Sequence, residues 1–498
     1  MPEITTIVWF RNDLRIVDNP ALHLAAGRGA VVPVFIHAPE EEGSWAAGGA
    51  ARWWTHQSLR RLDAALRRIG SRLIVRRSSG GHAGARRATP RRDGSRSVLL
   101  ELARETGATA VVWNRRHDPI AGARDAEVER RLRAAGIAVE IFEATLLFDP
   151  ALIRTRSGAP FQVFTPFSRA CAAAPPPAPP LPAPRRIAPP ERWPATIELD
   201  TVGLLPVPDW AAGLRAAWRP GETEAMDRLG KFLRRRMAAY AAARDRLDQD
   251  GTSSLSPHLH FGEIGPRQIW HAVNEAVAAG EAGHRAFLRQ ILWREFAHHL
   301  LIHFPHTAAR PLRSGFERFP WRRDARRLRA WQRGRTGYPI VDSGMRALWA
   351  TGWMHNRVRM IVASFLVKDL LQHWREGARW FWDTLVDADL ANNTLGWQWA
   401  AGCGADAAPF FRIFNPVLQG EKFDPRGDYV RRWVPEIARL PARWIHRPWA
   451  APAKVLAAAG VVIGRHYPRP IVDHAAARIR ALAAWEGLRR SGSRRGRR

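Results

Sequence analysis

The first 145 residues alternate short apolar runs with longer segments in which apolar residues recur at helical spacing, as at Leu59, Leu62, Leu66 and Ile69. The apolar runs, which we predict to be strands, are Ile7–Phe10, Val31–Ile36, Leu73–Val75, Ala110–Trp113 and Val139–Phe142. Apolar strands separated by amphipathic helices are typical of a parallel sheet covered on both faces. We therefore predict an α/β domain with a doubly wound parallel sheet over residues 1–145.

From Glu222 onward the pattern has the helical period alone. Met226, Leu229, Phe232 and Leu233 form one apolar stripe with arginines opposite it, and later segments repeat this arrangement without a convincing strand. We predict that residues 216–488 form a second, all-α domain.

Three segments interrupt these patterns. Ala172–Pro190 is dense in proline, which favours extended polyproline geometry, so we assign residues 146–215 to an interdomain linker. Ser78–Ser97 has almost no apolar residue to bury and is predicted to be a mobile surface insertion. The basic segment 489–498 is predicted to be a disordered tail that adds non-specific attraction to phosphates.

Charge points to a polyanionic partner. The chain of 498 residues has a formal net charge of +31, and almost all of the basic excess is arginine. Nucleic acid is the first candidate partner for such a surface, although a solvated surface and a GC-rich genome account for part of the same excess. The 23 tryptophans, against 4 tyrosines, suit both a core and stacking on planar ligands or bases.

Several classes of protein are not supported by the sequence. No G-x-G-x-x-G follows the first strand and no Walker loop occurs, so a nucleotide held by a glycine turn has no support. Cys171 and Cys403 are too few for an iron–sulfur cluster or a disulfide framework and favour a reducing compartment. No stretch of 18 apolar residues and no leader pattern occurs. We predict a soluble cytoplasmic protein that binds no membrane.

Asp387–Trp399 carries the most informative pattern, D-A-D-L-A-N-N-T-L-G-W-Q-W, with two carboxylates two residues apart in a strongly basic chain. An EF-hand loop is excluded by spacing, since Asn392 replaces the required glycine and Gln398 replaces the bidentate glutamate. The remaining interpretations are acids that pair with arginines beside core tryptophans, and acids that serve a ligand site.

Further motifs decide between these interpretations. They are W-R-E-F (Trp293–Phe296), G-W-M-H-N-R-V-R-M (Gly352–Met360) and D-A-A-P-F-F-R-I-F-N-P-V-L-Q-G-E-K-F (Asp406–Phe423). Together with Asp387–Trp399 they resemble the photolyase/cryptochrome flavoproteins, most closely the bacterial class I photolyases that repair cyclobutane pyrimidine dimers. The resemblance runs from Thr6–Arg15 to Pro468–His474, nearly the whole chain.

The resemblance implies a folded FAD as cofactor in the helical domain. Thr252–Gly262, T-S-S-L-S-P-H-L-H-F-G, resembles the family's pyrophosphate loop, and hydroxyls at a helix start suit an anion. Asn393 matches the position that faces the flavin N5, and Arg359 would pair with Asp387. The implied FAD contacts are Tyr240, Thr252, Ser253, Ser254, Leu255, Ser256, Asn356, Arg359, Asp387, Asp389 and Asn393.

Catalysis in the resembling family uses the flavin and a chain of indoles. Trp397, Trp374 and Trp321 match the three tryptophans that pass an electron from the surface to the flavin. Core packing is the alternative for each of them, and the two interpretations are compatible. Asn393 completes the implied catalytic set, because an amide beside the flavin adds no charge. Plant cryptochromes carry an acid at that position, so Asn393 favours repair.

A damaged base must leave the duplex to reach a buried flavin. The implied substrate and DNA contacts are Arg244, Gln290, Trp293, Arg294, Asn356, Arg357, Met360, Trp399, Arg412, Gln419 and Lys422. Gln290 departs from the family, because dimer-repairing members usually carry glutamate there, and glutamine is familiar from six-four photolyases and animal cryptochromes. Asn356 stands against the six-four assignment, since those enzymes show histidine at that position.

We therefore expect a monomeric, light-driven lyase in which excited reduced FAD gives an electron to a flipped pyrimidine dimer in UV-damaged DNA. The alternatives are a cryptochrome-type photoreceptor, a six-four photolyase and a DNA-binding module without chemistry. A second, antenna chromophore, folate or deazaflavin, is left open because Ile120 and Ala121 replace the family's folate-holding residues. His299 and His303 lie at i, i+4, yet no acid or cysteine completes a site, so we expect no metal.

Overall fold

The computed structural model describes residues 4–78, 94–276, 282–407 and 411–493. Its contacts divide the chain into two compact units. Unit 1 comprises Met1–Pro160, Pro166–Ala238 and Ser253–Ile302, and unit 2 comprises Phe161–Thr165, Ala239–Thr252 and His303–Arg498. These limits do not coincide with the domain boundaries predicted at residues 145 and 215, which stay a prediction.

Unit 1 contains the predicted parallel sheet. Its strands are β1 (Thr6–Phe10), β2 (Val31–His37), β3 (Ile74–Arg77), β4 (Ala110–Asn114) and β5 (Ala138–Phe142), in the spatial order β3-β2-β1-β4-β5. Every neighbouring pair is parallel. The prediction of a doubly wound α/β domain is confirmed. The apolar runs were informative because strands of a parallel sheet are buried on both faces.

The helices follow in chain order. They are α1 (Pro20–Arg28), α2 (Gly49–Arg68), α3 (Ser95–Thr106), α4 (Pro119–Ala134), α5 (Phe164–Ala173), α6 (Ala212–Ala217), α7 (Glu222–Arg235), α8 (Tyr240–Ala243), α9 (Ser256–His260), α10 (Pro266–Glu275), α11 (Ala282–His303), α12 (Ala325–Gln332), α13 (Pro339–Thr351), α14 (Asn356–Ser364), α15 (Trp374–Thr384), α16 (Leu390–Ala401), α17 (Pro416–Phe423), α18 (Asp428–Trp433), α19 (Ala442–Ile445), α20 (Ala453–Ala459) and α21 (His474–Ser493). A π-helix, Phe365–Asp369, continues α14.

The strand order reverses between β1 and β4, and large side chains pack together at this point. The Trp9 and Trp113 rings meet edge to face with centroids 5.6 Å apart. The Arg11 guanidinium lies 4.3 Å from the Trp9 ring centroid and pairs with Asp125 at 3.0 Å. Its burial is stabilised by that carboxylate and by the ring faces.

Unit 1 also recruits helical segments from far along the chain through buried polar contacts. The Arg15 guanidinium donates to the Gly262 carbonyl at 3.0 Å. The Glu222 carboxylate accepts from the Ile16 and Val17 amides, both at 2.9 Å. Because these partners lie outside residues 1–145, the sheet and the helices around it form one packed body.

The proline-rich segment of unit 1 is extended where it follows the sheet. The Ile187 amide donates to the Ile69 carbonyl at 2.8 Å, and the Val31 amide donates to the Ala188 carbonyl at 3.0 Å. These bonds anchor part of the predicted linker beside β2.

Unit 2 is helical, and we find no strand of a sheet in the part of it that the structure describes. Its core is one continuous cluster that includes Trp331, Phe365, Trp374, Phe381 and Trp397. The prediction of a helical second domain is confirmed. No helix among the described residues is long and apolar enough to cross a membrane.

Two predicted mobile segments fall partly outside the description. Residues 79–93 of the predicted insertion and residues 494–498 of the predicted tail lie outside the described residues. Helix α21 continues to Ser493, past the predicted start of the tail at Arg489.

Candidate functional site

The acidic pair of the central motif precedes α16. Asp389 caps this helix, because its carboxylate accepts from the Asn392 amide at 2.8 Å, as an N-cap residue does. Asp387 is 7% exposed, and both of its oxygens accept from one guanidinium nitrogen of Arg359, at 3.0 and 2.7 Å. The predicted Arg359–Asp387 pair therefore forms.

Arg359 is fixed from the opposite side by the turn before α14. Its Nε donates to the Met354 carbonyl at 2.7 Å. His355 caps α14 by accepting from the Arg357 amide at 3.1 Å, and burial lowers the pKa of His355 to about 4. A neutral imidazole keeps a free nitrogen lone pair for this cap at physiological pH.

Asn393 lies one turn into α16, and a hydrogen bond from its side-chain amide fixes its position. Its Nδ2 donates to the Ala378 carbonyl of α15 at 3.0 Å. Further along α16, Trp397 packs directly on Gly377, where an added Cβ would lie 2.0 Å from the indole. Only glycine fits there, so α15 and α16 approach closely behind the Asn393 side chain.

The tryptophans of the predicted electron path all lie in unit 2. Trp397 and Trp374 are 2% and 1% exposed, and Trp321 is half-buried. The His373 ring contacts both Trp374 and Trp321, with centroids 5.6 and 5.2 Å away. Burial, with nearby arginines, lowers the pKa of His373 to about 4. The path itself stays a prediction.

Three predicted substrate residues of unit 2 line one pocket. Met360, Trp399 and Arg412 come from α14, α16 and the segment before α17, and the Arg412 guanidinium lies 5.7 Å from the Trp399 ring centroid. These side chains line a shallow depression that is open to solvent. Its lining is Met360, Ser364, Lys368, Trp399, Ala400, Gly402, Asp406, Ala407, Arg412 and Phe414.

A second group of predicted residues gathers around Phe423 at the end of α17. The Arg357 guanidinium lies 4.3 Å from the Phe423 ring and pairs with Asp245 at 2.6 Å. Lys422 is exposed beside the same ring, with Nζ 5.4 Å from its centroid. The buried Oε1 of Gln419 has no hydrogen-bond partner in the part of the chain that the structure describes.

Tyr240 and Arg244 lie beside that group on the segment around α8. Tyr240 is 6% exposed, with the Arg244 guanidinium 5.6 Å from its ring. Asp245 links the segment to α14 through Arg357. Asn356, at the start of α14, is exposed, and its Nδ2 lies 4.0 Å from the Met360 sulfur.

The predicted pyrophosphate loop is divided between the units, with Thr252 in unit 2 and Ser253–Ser256 in unit 1. Ser254 has a φ of 52°, a left-handed conformation that is uncommon for serine and is typical of functional turns. The Ser253 hydroxyl accepts from the Leu255 amide at 3.4 Å, and α9 begins at Ser256.

The remaining predicted substrate residues lie on α11 in unit 1. The Gln290 amide donates to the Ala286 carbonyl of its own helix at 3.1 Å. Trp293 is half-buried against Phe296, with ring centroids 5.8 Å apart. Arg294 is mostly buried and donates to the Thr145 carbonyl at 2.8 Å, a contact that serves the fold, so its DNA contact stays a prediction.

Sequence reasoning missed some side chains that the fold brings to these places. Lys368 lines the pocket, His355 caps α14, and Asp245 pairs with Arg357. The signal for Lys368 was a lone lysine in the apolar run Phe365–Asp369 of a chain with very few lysines. The pairing of Asp245 with Arg357 could not be predicted, because a chain with so many arginines offers many possible partners for each acid.

Two further predictions concern metal and antenna. Among the described residues, no group of three or more His, Cys, Asp or Glu side chains could hold a metal ion. Ala121, one of the two antenna departures, is completely buried, whereas Ile120 is 37% exposed. Only Ile120 of the two could therefore face a ligand.

Comparison with known proteins covers both units. The family model described as DNA photolyase matches residues 6–185, and the FAD binding domain of DNA photolyase matches residues 287–487. A deoxyribodipyrimidine photo-lyase of Agrobacterium fabrum is 48% identical over 97% of this chain and 98% of its own length. Cryptochrome-1 of Arabidopsis thaliana is 42% identical over 95% of this chain and 69% of its own length.

A solved structure from Agrobacterium tumefaciens covers 98% of both chains with 46% identity and a TM-score of 0.91. It is described as a bacterial class III photolyase. That description corrects the expected class I likeness, because the motifs quoted above do not separate the two classes.

Proposed function

Since this chain belongs to the photolyase/cryptochrome family, we propose that it is a deoxyribodipyrimidine photo-lyase, a light-driven lyase that splits cyclobutane pyrimidine dimers in UV-damaged DNA. The observation that carries the proposal is the pocket of unit 2, where Met360, Trp399 and Arg412 converge from three separate segments of the chain. We propose that the protein acts as a monomer in the cytoplasm and belongs to class III.

The residues around α16 fit a bound FAD. Asp387 is neutralised by Arg359, so the pair adds no net charge, and the exposed Asn356 amide offers both a donor and an acceptor. The contact of the Ser254 turn, which lies in unit 1, with a phosphate stays a prediction. When bound, reduced and light-excited FAD supplies the electron that opens the cyclobutane ring and receives it back.

Asn393 has the task of keeping the flavin side of the site uncharged. One Nδ2 hydrogen is engaged by the Ala378 carbonyl, which leaves Oδ1 and the second Nδ2 hydrogen for a ligand. An amide oxygen accepts a hydrogen bond without taking up a proton near neutral pH. Asn393 can therefore accept a hydrogen bond from a bound ligand, but it does not donate or remove a proton in the reaction.

Trp399 and Met360 provide the apolar walls that a flipped base needs. A base that leaves the duplex loses stacking worth a few kcal/mol, and an indole wall restores part of it. The Arg412 guanidinium at the pocket mouth is exposed and lies against Trp399, where it would pair with a phosphate beside the flipped dimer.

A basic strip suits the DNA backbone. Lys422 is exposed beside Phe423, and Arg244 and Arg357 lie on the neighbouring segments. Arg357 is already paired with Asp245, so we expect Lys422 and Arg412 to make the stronger phosphate contacts.

A photoreceptor is the second candidate, because the Arabidopsis cryptochrome is 42% identical to this chain over 95% of its length. Asn393 stands against it, since an acid occupies that position in plant cryptochromes. An antenna chromophore in unit 1 is also proposed, and its identity is left to direct extraction and spectroscopy.

The absorption spectrum of the purified protein is the first test, and we expect flavin bands. Purified protein is then given cyclobutane dimers and six-four photoproducts in separate tubes under blue light, with a dark control. Dimer repair that requires light supports the proposal. Flavin without repair of either lesion would support the photoreceptor, and repair of six-four photoproducts alone would overturn the substrate assignment.

A further inference from the structure

Lys368 is a buried lysine that forms no salt bridge with the residues that the structure describes. It lies in the π-helix Phe365–Asp369 and is 1% exposed. Its Nζ donates to the Ala401 carbonyl at 2.8 Å and lies 3.0 Å from the centroid of the Phe411 ring. Within the described ranges, no carboxylate pairs with it. A π-bulge in a helix is frequently found at a functional site.

This arrangement is unfavourable for the fold alone. Burial lowers the pKa of Lys368 well below its ordinary value, because a desolvated ammonium has no anion to compensate it. Cys403, which acts on Lys368 electrostatically, gives little charge, since burial raises the pKa of that thiol to about 12. An apolar side chain of similar length, such as methionine, would fill the same space at a lower desolvation cost.

One contact of Lys368 is with the end of α16. Ala401 is the last residue of this helix, and Gly402 follows with a left-handed φ of 87°. The Ala401 carbonyl lies among the terminal carbonyls that a helix cannot satisfy internally, and a cation there also complements the helix dipole. A neutral amide could satisfy the carbonyl equally well, so capping does not by itself explain a lysine.

The other contact of Lys368 is with the ring of Phe411, which also lies close to Gly402 at the end of α16. Phe411 begins the segment that supplies Arg412 and Phe414 to the pocket lining. Ala401 lies between Ala400 and Gly402, which line the pocket from the end of α16. The side chain therefore joins the end of α16 and the Phe411 segment at once, by a charge-assisted hydrogen bond on one side and a cation–π contact on the other. A cation strengthens both contacts at once.

We propose that Lys368 is the positioning residue of the lesion pocket, which holds the Trp399 wall and the Phe411 wall at the separation that a flipped pyrimidine dimer requires. The inference rests on the proposed function and deepens it. Lys368 acts through the two walls, and the pocket loses its shape when the cation is removed.

The test compares three variants with one control. Lys368→Met removes the cation and the hydrogen bond, Lys368→Gln keeps a donor for Ala401 without the charge, and Lys368→Arg keeps the charge. Lys454→Met, an exposed lysine on α20 of the same unit, is the matched control. Each protein is measured for dark affinity to dimer-containing and undamaged oligonucleotides, for KM and kcat of repair, and for FAD content.

We expect Lys368→Met and Lys368→Gln to weaken dark affinity for the dimer, and to raise KM, by about 10-fold, the effect of one charge-assisted hydrogen bond. Affinity for undamaged DNA, kcat and FAD content should stay at the wild-type level, and Lys368→Arg should restore at least part of the dimer affinity. Lys454→Met should match the wild type in every measurement.

Two outcomes would overturn the inference while leaving the proposed function intact. In one, Lys368→Met is less stable but binds the dimer as the wild type does, which would make the lysine a helix cap only. In the other, Lys368→Gln behaves as the wild type, which would show that the charge is not needed. If Lys368→Met does not fold, the comparison of Gln with Arg decides. A wild type without preference for damaged DNA would remove both the inference and the proposed function.

Discussion

Replacing Glu295 by glutamine should make the protein more stable at alkaline pH and have little effect in acid. Glu295 lies on α11 and is 3% exposed. Its Oε2 accepts from the Leu147 and Phe148 amides at 2.9 and 3.4 Å, and the Arg294 guanidinium is 3.5 Å from Oε1. Burial outweighs these contacts and raises the pKa of Glu295 to about 7.

The sign follows from the proton count. Between its ordinary pKa of 4.5 and the folded pKa of about 7, the folded state holds the proton of Glu295 more tightly than the unfolded state. The stability contributed by the protonated acid is therefore present below pH 4.5 and is lost as the pH rises through 7. Linkage with these two pKa values gives a loss of about 2.5 kcal/mol between pH 5 and pH 8.

Glu295→Gln does not ionise and keeps an oxygen for the Leu147 amide, so it should avoid this loss. Relative to the wild type, the variant should gain about 2.5 kcal/mol of unfolding free energy on going from pH 5 to pH 8. Urea denaturation of both proteins at the two pH values measures the difference. Glu101→Gln, an exposed glutamate on α3, is the control and should show no such change. A pH-independent difference between wild type and Glu295→Gln would refute the reasoning.

Four further predictions follow from the site. Asp387→Asn leaves the Arg359 guanidinium without its carboxylate and should cost about 1–3 kcal/mol of stability and reduce the FAD content of the purified protein; full FAD content would show that the pair does not support the site. Trp397→Phe should slow light-driven reduction of oxidised FAD and spare repair by chemically reduced enzyme, as followed by absorbance; undiminished photoreduction would remove Trp397 from the electron path. Gln290→Glu should keep or improve dimer repair, because a carboxyl can contact the thymine edge, and improvement with six-four photoproducts instead would contradict the substrate assignment. Affinity for undamaged DNA should fall with salt at a logarithmic slope near −0.9 for each neutralised phosphate, and a flat response would mean that the basic excess does not bind DNA.

The sheet could be predicted from the sequence because its signal is local. Each strand is an apolar run between helices, so the buried faces of β1, β2 and β4 are evident from composition. Strand ends differ from the prediction by one or two residues, as at β3, which runs from Ile74 to Arg77 and includes two arginines that the apolar criterion rejects.

The division into units could not be predicted in the same way. Composition changes at the proline-rich segment, yet contacts continue through it, since the Ile187 amide bonds to the Ile69 carbonyl. The helical stripe of α7 was also only partly right. Leu229 and Phe232 are buried, whereas Met226 is 42% exposed. Helical spacing predicts which side of a helix is apolar, but it does not predict how much of that side is buried.

For the candidate site, motif resemblance supplied residues that periodicity never indicates. The Arg359–Asp387 pair and the convergence of Met360 with Trp399 were expected from resemblance and occur in unit 2. Lys368 was not expected, because whether a lysine in an apolar run is buried depends on the wall that packs over it. That wall is Phe411, which lies far along the chain.

The hydrogen bonds that join distant parts of unit 1 affect the order in which it can fold during synthesis. Arg15 emerges from the ribosome 247 residues before Gly262, whose carbonyl it needs, and Trp54 emerges 209 residues before Glu263, which accepts from its indole. A nascent chain that ends after β5 leaves the Arg15 guanidinium with Asp18 but without the Gly262 carbonyl, and it leaves the Trp54 indole N–H without Glu263. Such groups are costly to bury, and contacts of this sequence separation form slowly. We therefore expect unit 1 to complete its packing only after Gly262 and Glu263 have been translated, and a fragment that stops near residue 185 lacks both contacts.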